Sequence, residues 1–174
     1  EKYKFKKIVT QCPHCLTTLK NDYSELGAKL DVVHHSQYIS ELINDGKIKP
    51  EPWMDEDVTY HDPCYLGRHN DEYDAPRDVI QSIMRDGKLI EMEQNKKESF
   101  CCGAGGGNMW YEIKTGERIN KNRFNQAVET KAKTVAAACN FCNIMLEDGM
   151  KVTGNDKDMQ VLDIAEMVSK GLSK

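Results

Sequence analysis

Apolar positions along the chain follow two alternating rhythms. Short apolar runs bounded by polar or turn residues read as strands: Lys7-Ile8-Val9-Thr10, Leu30-Asp31-Val32-Val33, Asp57-Val58-Thr59-Tyr60-His61, Leu89-Ile90-Glu91-Met92, Thr134-Val135-Ala136-Ala137-Ala138 and Met159-Gln160-Val161-Leu162. Between them apolar residues recur at helical spacing. Examples are Leu16, Leu19 and Tyr23; Tyr38, Ile39, Leu42 and Ile43; and Val79, Ile80, Ile83 and Met84. Residues 117–130 repeat the pattern through Ile119, Phe124, Ala127 and Val128, and Met145, Leu146 and Met150 continue it before a last helix over 163–171. Gly46 suits the position just past a helix end, and Pro76 suits a first helical turn. Pro50 and Pro52 mark residues 48–54 as a connection crossing between two units. Strands alternating with helices predict an α/β fold with largely parallel sheets.

Two stretches repeat. Ile8-Val9-Thr10-Gln11 leads into Cys12-Pro13-His14-Cys15 and then Leu19; Val135-Ala136-Ala137-Ala138 leads into Cys139-Asn140-Phe141-Cys142 and then Leu146. Each is followed by a strand and a helix carrying an acidic–apolar pair, Glu41-Leu42 and Glu166-Met167. We read this as an internal duplication of α/β units with the first copy incomplete. Residues 1–50 form the end of a first unit, 51–56 a connection, and 57–174 a complete second unit. The chain is expected to be the carboxyl-terminal part of a longer polypeptide.

Composition narrows the setting. The 174 residues suffice for one ordinary core or two small joined halves. With 30% charged residues and a net charge of −4, the chain lacks the basic footprint of a nucleic-acid binder. Lys6-Lys7 and Lys96-Lys97 read as solvated surface. No stretch is long and apolar enough to span a membrane, and Glu1-Lys2-Tyr3-Lys4-Phe5-Lys6-Lys7 lacks the apolar region of a secretory signal. Seven cysteines without such a signal point to metal or redox chemistry in a reducing, cytoplasmic setting.

The chemistry concentrates in Phe100-Cys101-Cys102-Gly103-Ala104-Gly105-Gly106-Gly107. Adjacent cysteines are poor disulfide partners, because the bond needs convergent Cβ atoms. Two neighbouring thiolates suit one large soft ligand, and glycines let the backbone approach it closely. An iron–sulfur cluster fits, since its sulfides also accept hydrogen bonds from N–H groups. Gly103, Gly105 and Gly106 are the expected contacts of this kind.

The whole pattern is C-x36-C-C-G-x35-C-x-x-C from Cys64 to Cys142. It resembles the cysteine-rich CCG domain of heterodisulfide reductase and its relatives. These include iron–sulfur subunits of glycolate, lactate and glycerol-3-phosphate oxidising systems, and membrane-linked oxidoreductases associated with electron-transfer flavoprotein. His61-Asp62-Pro63-Cys64-Tyr65-Leu66-Gly67-Arg68-His69-Asn70 and Cys101 to Trp110 look most like the last group. The resemblance implies a [4Fe–4S] cluster, cubane or non-cubane, on Cys64, Cys101, Cys102, Cys139 and Cys142. Cys12 and Cys15 match the end of a preceding motif and are further candidate metal ligands. The implied role is an electron-transfer component of an oxidoreductase, with no separate catalytic side chain and no expected activity on its own. Electrons would pass between a flavoprotein and a quinone- or ferredoxin-linked partner, with a membrane reached through a partner or a missing region.

Two other readings stay open. The cluster could itself cleave a disulfide, as in heterodisulfide reductase. Alternatively, Cys12, Cys15, Cys139 and Cys142 could hold zinc in an interaction domain. The glycine run departs from the nucleotide-binding fingerprint at Asn108 and has no following Walker lysine. His61 and Asp62 read as pocket-shaping groups, and His34-His35 as structural or surface residues. Met109-Trp110 reads as cover over the cluster. Arg68 and Arg77 are candidates for balancing its charge.

Overall fold

The computed structural model describes residues 4–111 and 115–172. Residues 1–3, 112–114 and 173–174, at the outer ends of the expected units and within the second, lie outside the described residues. The fold is α/β with parallel sheets. Strand β1 (Ile8–Thr10) pairs in parallel with β2 (Val32–His34), Ile8 opposite Val32. Between them, α1 (Pro13–Thr17), a π-type turn (Thr18–Asp22) and α2 (Tyr23–Glu25) form one helical run. Helix α3 (His35–Asn44) follows β2 directly, and Gly46 lies beyond its end at φ +66°.

The larger sheet has the order β4-β3-β5-β6, with every neighbouring pair parallel. Its strands are β3 (Val58–His61), β4 (Leu89–Ile90), β5 (Thr134–Ala137) and β6 (Gln160–Asp163). Helices α4 (Gly67–Asn70) and α5 (Asp74–Ile83) connect β3 to β4. The glycine loop and α6 (Ile119–Glu129) bring the chain back across to β5. Helix α7 (Asn140–Val152) leads to β6, and α8 (Ile164–Leu172) closes the chain. From β3 the chain turns to one side of the sheet and from β5 to the other. The carboxyl ends of these adjacent strands therefore border a crevice, the usual ligand position in an open parallel sheet.

Alternation along β5 builds two cores. Val135 and Ala137 join Phe124, Ala127, Leu146 and Val161 under α6 and α7. Ala136 and Ala138 face the opposite layer with Val58, Tyr60, Ile80, Ile83 and Met167. Leu16 and Val32 belong to this second core, so the small sheet packs onto the larger one. The expected strand over 89–92 pairs only at Leu89–Ile90. Beyond it Glu91 turns to Arg77 and Met92 enters the α6–α7 core, which takes both residues out of the ladder.

Candidate metal centre

Five cysteines meet at the crevice. Cys64 follows β3 in a turn, and Cys139 follows β5 as the residue capping α7. The pairing of His61 with Ala137 sets these two strand ends side by side. Cys142 comes from the first turn of α7, and Cys101-Cys102 come from the loop before α6. Cys64, Cys101, Cys102, Cys139 and Cys142 line one cavity, with Pro13, His14, Pro63, Tyr65, Ala104, Gly105 and Phe141 completing its wall. Cys102, Cys139 and Cys142 are buried, whereas Cys64 and Cys101 are half-buried.

The thiols form a chain of contacts. The Cys142 thiol donates to Cys102 Sγ at 3.3 Å. The thiols of Cys102 and Cys64 both hydrogen-bond Cys101, and together with the Gly103 N–H at 3.3 Å they pull its pKa down to about 2. The Cys139 thiol is lowered to about 5 by Cys142, His14 and the amides of Cys142 and Phe141 at the α7 amino terminus. The hydrogen bond to Cys101 and burial push Cys64 upward. Cys102 is raised to about 12, first by Cys101, and Cys142 is raised by its thiol neighbours and burial. The cavity thus favours thiolate at two positions and crowds three more sulfurs around them. Such a soft, multi-sulfur donor set suits an iron–sulfur cluster, because its thiolates bind iron as anions.

The glycine loop is more structured than a plain loop. Gly105–Trp110 makes 3₁₀ turns, with Gly106 and Gly107 at φ +66° and +76°. Gly103, at φ +90°, is buried against α6, where a Cβ would lie 3.1 Å from Ile119 Cβ and 3.2 Å from the Asn120 amide nitrogen. Gly105 lines the cysteine cavity, whereas Gly106 lines a neighbouring groove of about 250 Å³ with His14, Gly107, Met109, Trp110 and Phe141. Of the pair expected to cover the site, Met109 packs against the core that holds Cys102, Cys139 and Cys142, while Trp110 lines the groove and is 79% exposed. The left-handed glycines turn the chain outward before Trp110.

Cys12 and Cys15 stand beside this cavity rather than in its lining. Their thiols interact with each other, and Cys15 is exposed. The two C-x-x-C pairs do not gather into one four-sulfur group. Among the described residues, the metal-competent group within 4.8 Å is His61, Cys102 and Cys142.

Three residues of this neighbourhood were missed as site residues or assigned only a general pocket role. His14, the spacer of the first C-x-x-C, packs on Tyr65 with ring centroids 4.0 Å apart and reaches Cys12 Sγ at 3.8 Å. His61 is fully buried against the thiols. Arg123 is fully buried behind it and donates from Nε to His61 Nδ1 at 2.9 Å. Of the arginines considered in sequence, Arg77 is bound by Asp62 and Glu91. Arg68 is exposed and donates to the carbonyls of Lys97 and Ser99.

The cysteine-rich domain model of the CCG family matches residues 58–147. The chain is 39% identical to the probable iron–sulfur-binding oxidoreductase FadF of Bacillus subtilis, over 99% of this chain and 24% of that protein. It is 40% identical to EtfAB:quinone oxidoreductase of Syntrophomonas wolfei, over 98% and 24%. It is 37% identical to one subunit of the dihydromethanophenazine:CoB–CoM heterodisulfide reductase of Methanosarcina barkeri, over 96% and 41%. The chain spans about a quarter of the length of the first two relatives and about two-fifths of the third. The family match falls on the segment that carries all five cavity cysteines, and the chain belongs to the CCG cysteine-rich domain family.

Proposed function

We propose that this domain holds a four-iron iron–sulfur cluster on Cys64, Cys101, Cys102, Cys139 and Cys142 and serves as an electron-transfer module of a larger oxidoreductase. The observation that carries this reading is the single cavity lined by these five thiols. When bound, such a cluster supplies a site that takes up and releases single electrons. The chain's own groups bind and screen it. Neighbouring thiols and amides favour the thiolate form of Cys101 and Cys139, Gly103 directs its N–H at sulfur, and Phe141 and His14 wall off one side. The name of one relative, EtfAB:quinone oxidoreductase, supports a quinone-linked acceptor, and the resemblance of the cysteine motif supports a flavoprotein donor. A ferredoxin-type domain is the other partner class of this reading. No helix among the described residues is long and apolar enough to cross a membrane, so any membrane contact is assigned to a partner or another part of the protein. Seven unbridged thiols favour a reducing, cytoplasmic setting.

A second reading has one specific observation in its favour. The groove beside Gly105 and His14 adjoins the cysteine cavity and opens to solvent at Trp110. A small disulfide could reach the sulfurs by that route. Its reduction to two thiols would take two electrons from the donor and two protons from solvent.

Anaerobic reconstitution with iron and sulfide tests both readings at their base. About four irons per chain are expected, with an EPR signal that Cys102→Ser or Cys139→Ser abolishes or alters. Cys12→Ser should leave the signal largely intact. Stoichiometric zinc without iron uptake would overturn the proposal, and eight irons would overturn the assignment of ligands.

A further inference from the structure

Arg123 carries a guanidinium into the interior without a carboxylate against it. Nε donates to His61 Nδ1 at 2.9 Å, and Nη1 donates to the Gln94 carbonyl at 2.9 Å and to Gln126 Oε1 at 2.6 Å. Nη2 donates to Ser99 Oγ at 3.1 Å. All four acceptors are neutral, and among the described residues Arg123 has no carboxylate within ion-pair distance. Asp62, the carboxylate whose charge bears most on it, is already clamped by both terminal nitrogens of Arg77. Burial lowers Arg123 only to about 10, so the group stays charged at neutral pH. A charge kept this deep is disfavoured unless opposite charge stands nearby. Cys102 and Cys142 stand beside His61, and as thiolate ligands of a cluster they would bring negative charge to that side of the ring.

The link between them is His61. A guanidinium has only N–H donors, so a ring nitrogen that receives its hydrogen bond carries no proton. The His61 ring is therefore neutral, with its proton on Nε2. A ring nitrogen of His61, Cys102 Sγ and Cys142 Sγ all lie within 4.8 Å of one another. We propose that Arg123 is a positioning residue that fixes His61 as an Nε2–H donor to the cysteine sulfurs and places a buried positive charge behind it. The redox consequence rests on the cluster reading above. Reduction adds negative charge at the site, and an N–H dipole backed by a cation stabilises that charge, which raises the reduction potential. Tying α6 to β3 and to residues 94–99 would by itself move neither the tautomer nor the potential.

Nitrogen-15 NMR of the metal-free chain tests the positioning without any cluster. At neutral pH, Nδ1 of His61 should give the signature of an unprotonated nitrogen and Nε2 that of a protonated one. A proton on Nδ1, in either the other tautomer or the imidazolium, would overturn the proposal even if no variant folds. A redox titration of the reconstituted chain, followed by EPR, tests the charge. Arg123→Gln should shift the reduction equilibrium at least tenfold toward the oxidised form, about 59 mV for one electron. Arg123→Lys, which keeps the charge, should lie closer to the parent. An unchanged midpoint in Arg123→Gln with the cluster intact would sink the electrostatic role. Failure of the parent chain to bind iron would count against the cluster reading and leave the NMR result on His61 standing.

Discussion

Arg77 and Arg123 are both buried arginines, and they are treated in opposite ways. Arg77 meets Asp62 through Nη1 and Nη2 and Glu91 through Nε and Nη2, and its guanidinium lies over the Tyr60 ring. Asp62 also accepts the Lys96 N–H, and it stands two residues before Cys64. This pair therefore fixes the turn that presents Cys64. Asp62→Ala should cost about 3–5 kcal/mol in chemical denaturation, because it strips a buried cation of its buried carboxylate partner. Glu91→Gln should cost less, since the Glu91 side chain is 36% exposed and water screens it. The spacing of the cysteines made the sulfur set legible in the sequence. Arg123 was not legible, because it sits among Arg118, Asn120, Lys121, Asn122 and Asn125 and reads as one more polar helix position. Helical periodicity places a residue on a face and says nothing of what faces it. His14 was hidden for a similar reason: inside C-x-x-C it looks like spacer, and only packing on Tyr65 reveals it as wall.

At the scale of elements, the strands and long helices followed from apolar rhythm, with ends displaced by one or two residues. The rhythm is set by burial, while ends are set by local hydrogen bonds that it does not encode. The turns of the glycine loop were missed because glycine has no side chain to give a pattern. Its three candidate glycines also prove unequal. Gly103 combines φ +90° with a neighbour already within contact of any Cβ, whereas Gly105 has ordinary φ and open space. Gly103→Ala should cost about 1–3 kcal/mol through backbone strain and crowding against α6. Gly105→Ala should change stability by no more than about 0.5 kcal/mol. Thermal or urea unfolding of the two metal-free variants checks the contrast, and equal losses would show that the loop moves freely against α6.

At the scale of the whole molecule, His34 joins the small sheet to the large one. Nδ1 meets the Ser36 hydroxyl at 2.8 Å, Nε2 donates to the Gln11 carbonyl at 3.1 Å, and the Ala138 backbone also contacts the ring. Burial, reinforced by the neighbouring His35, lowers its pKa to about 3. Unfolded, the same ring takes up a proton near pH 6.5. Between these values the unfolded chain binds the additional proton, so stability falls as pH drops. The loss from this group should reach about 2 kcal/mol by pH 5, read as a falling urea midpoint of the metal-free chain. His34→Gln should weaken the fold at pH 7 and flatten that slope. The strand order has a consequence in time. β3 cannot complete its ladder until β5, far along the chain, arrives beside it, and contacts of such long separation form slowly. Cys64 and Cys139 are brought side by side by that pairing, so the sulfur cavity depends on a contact between distant parts of the chain.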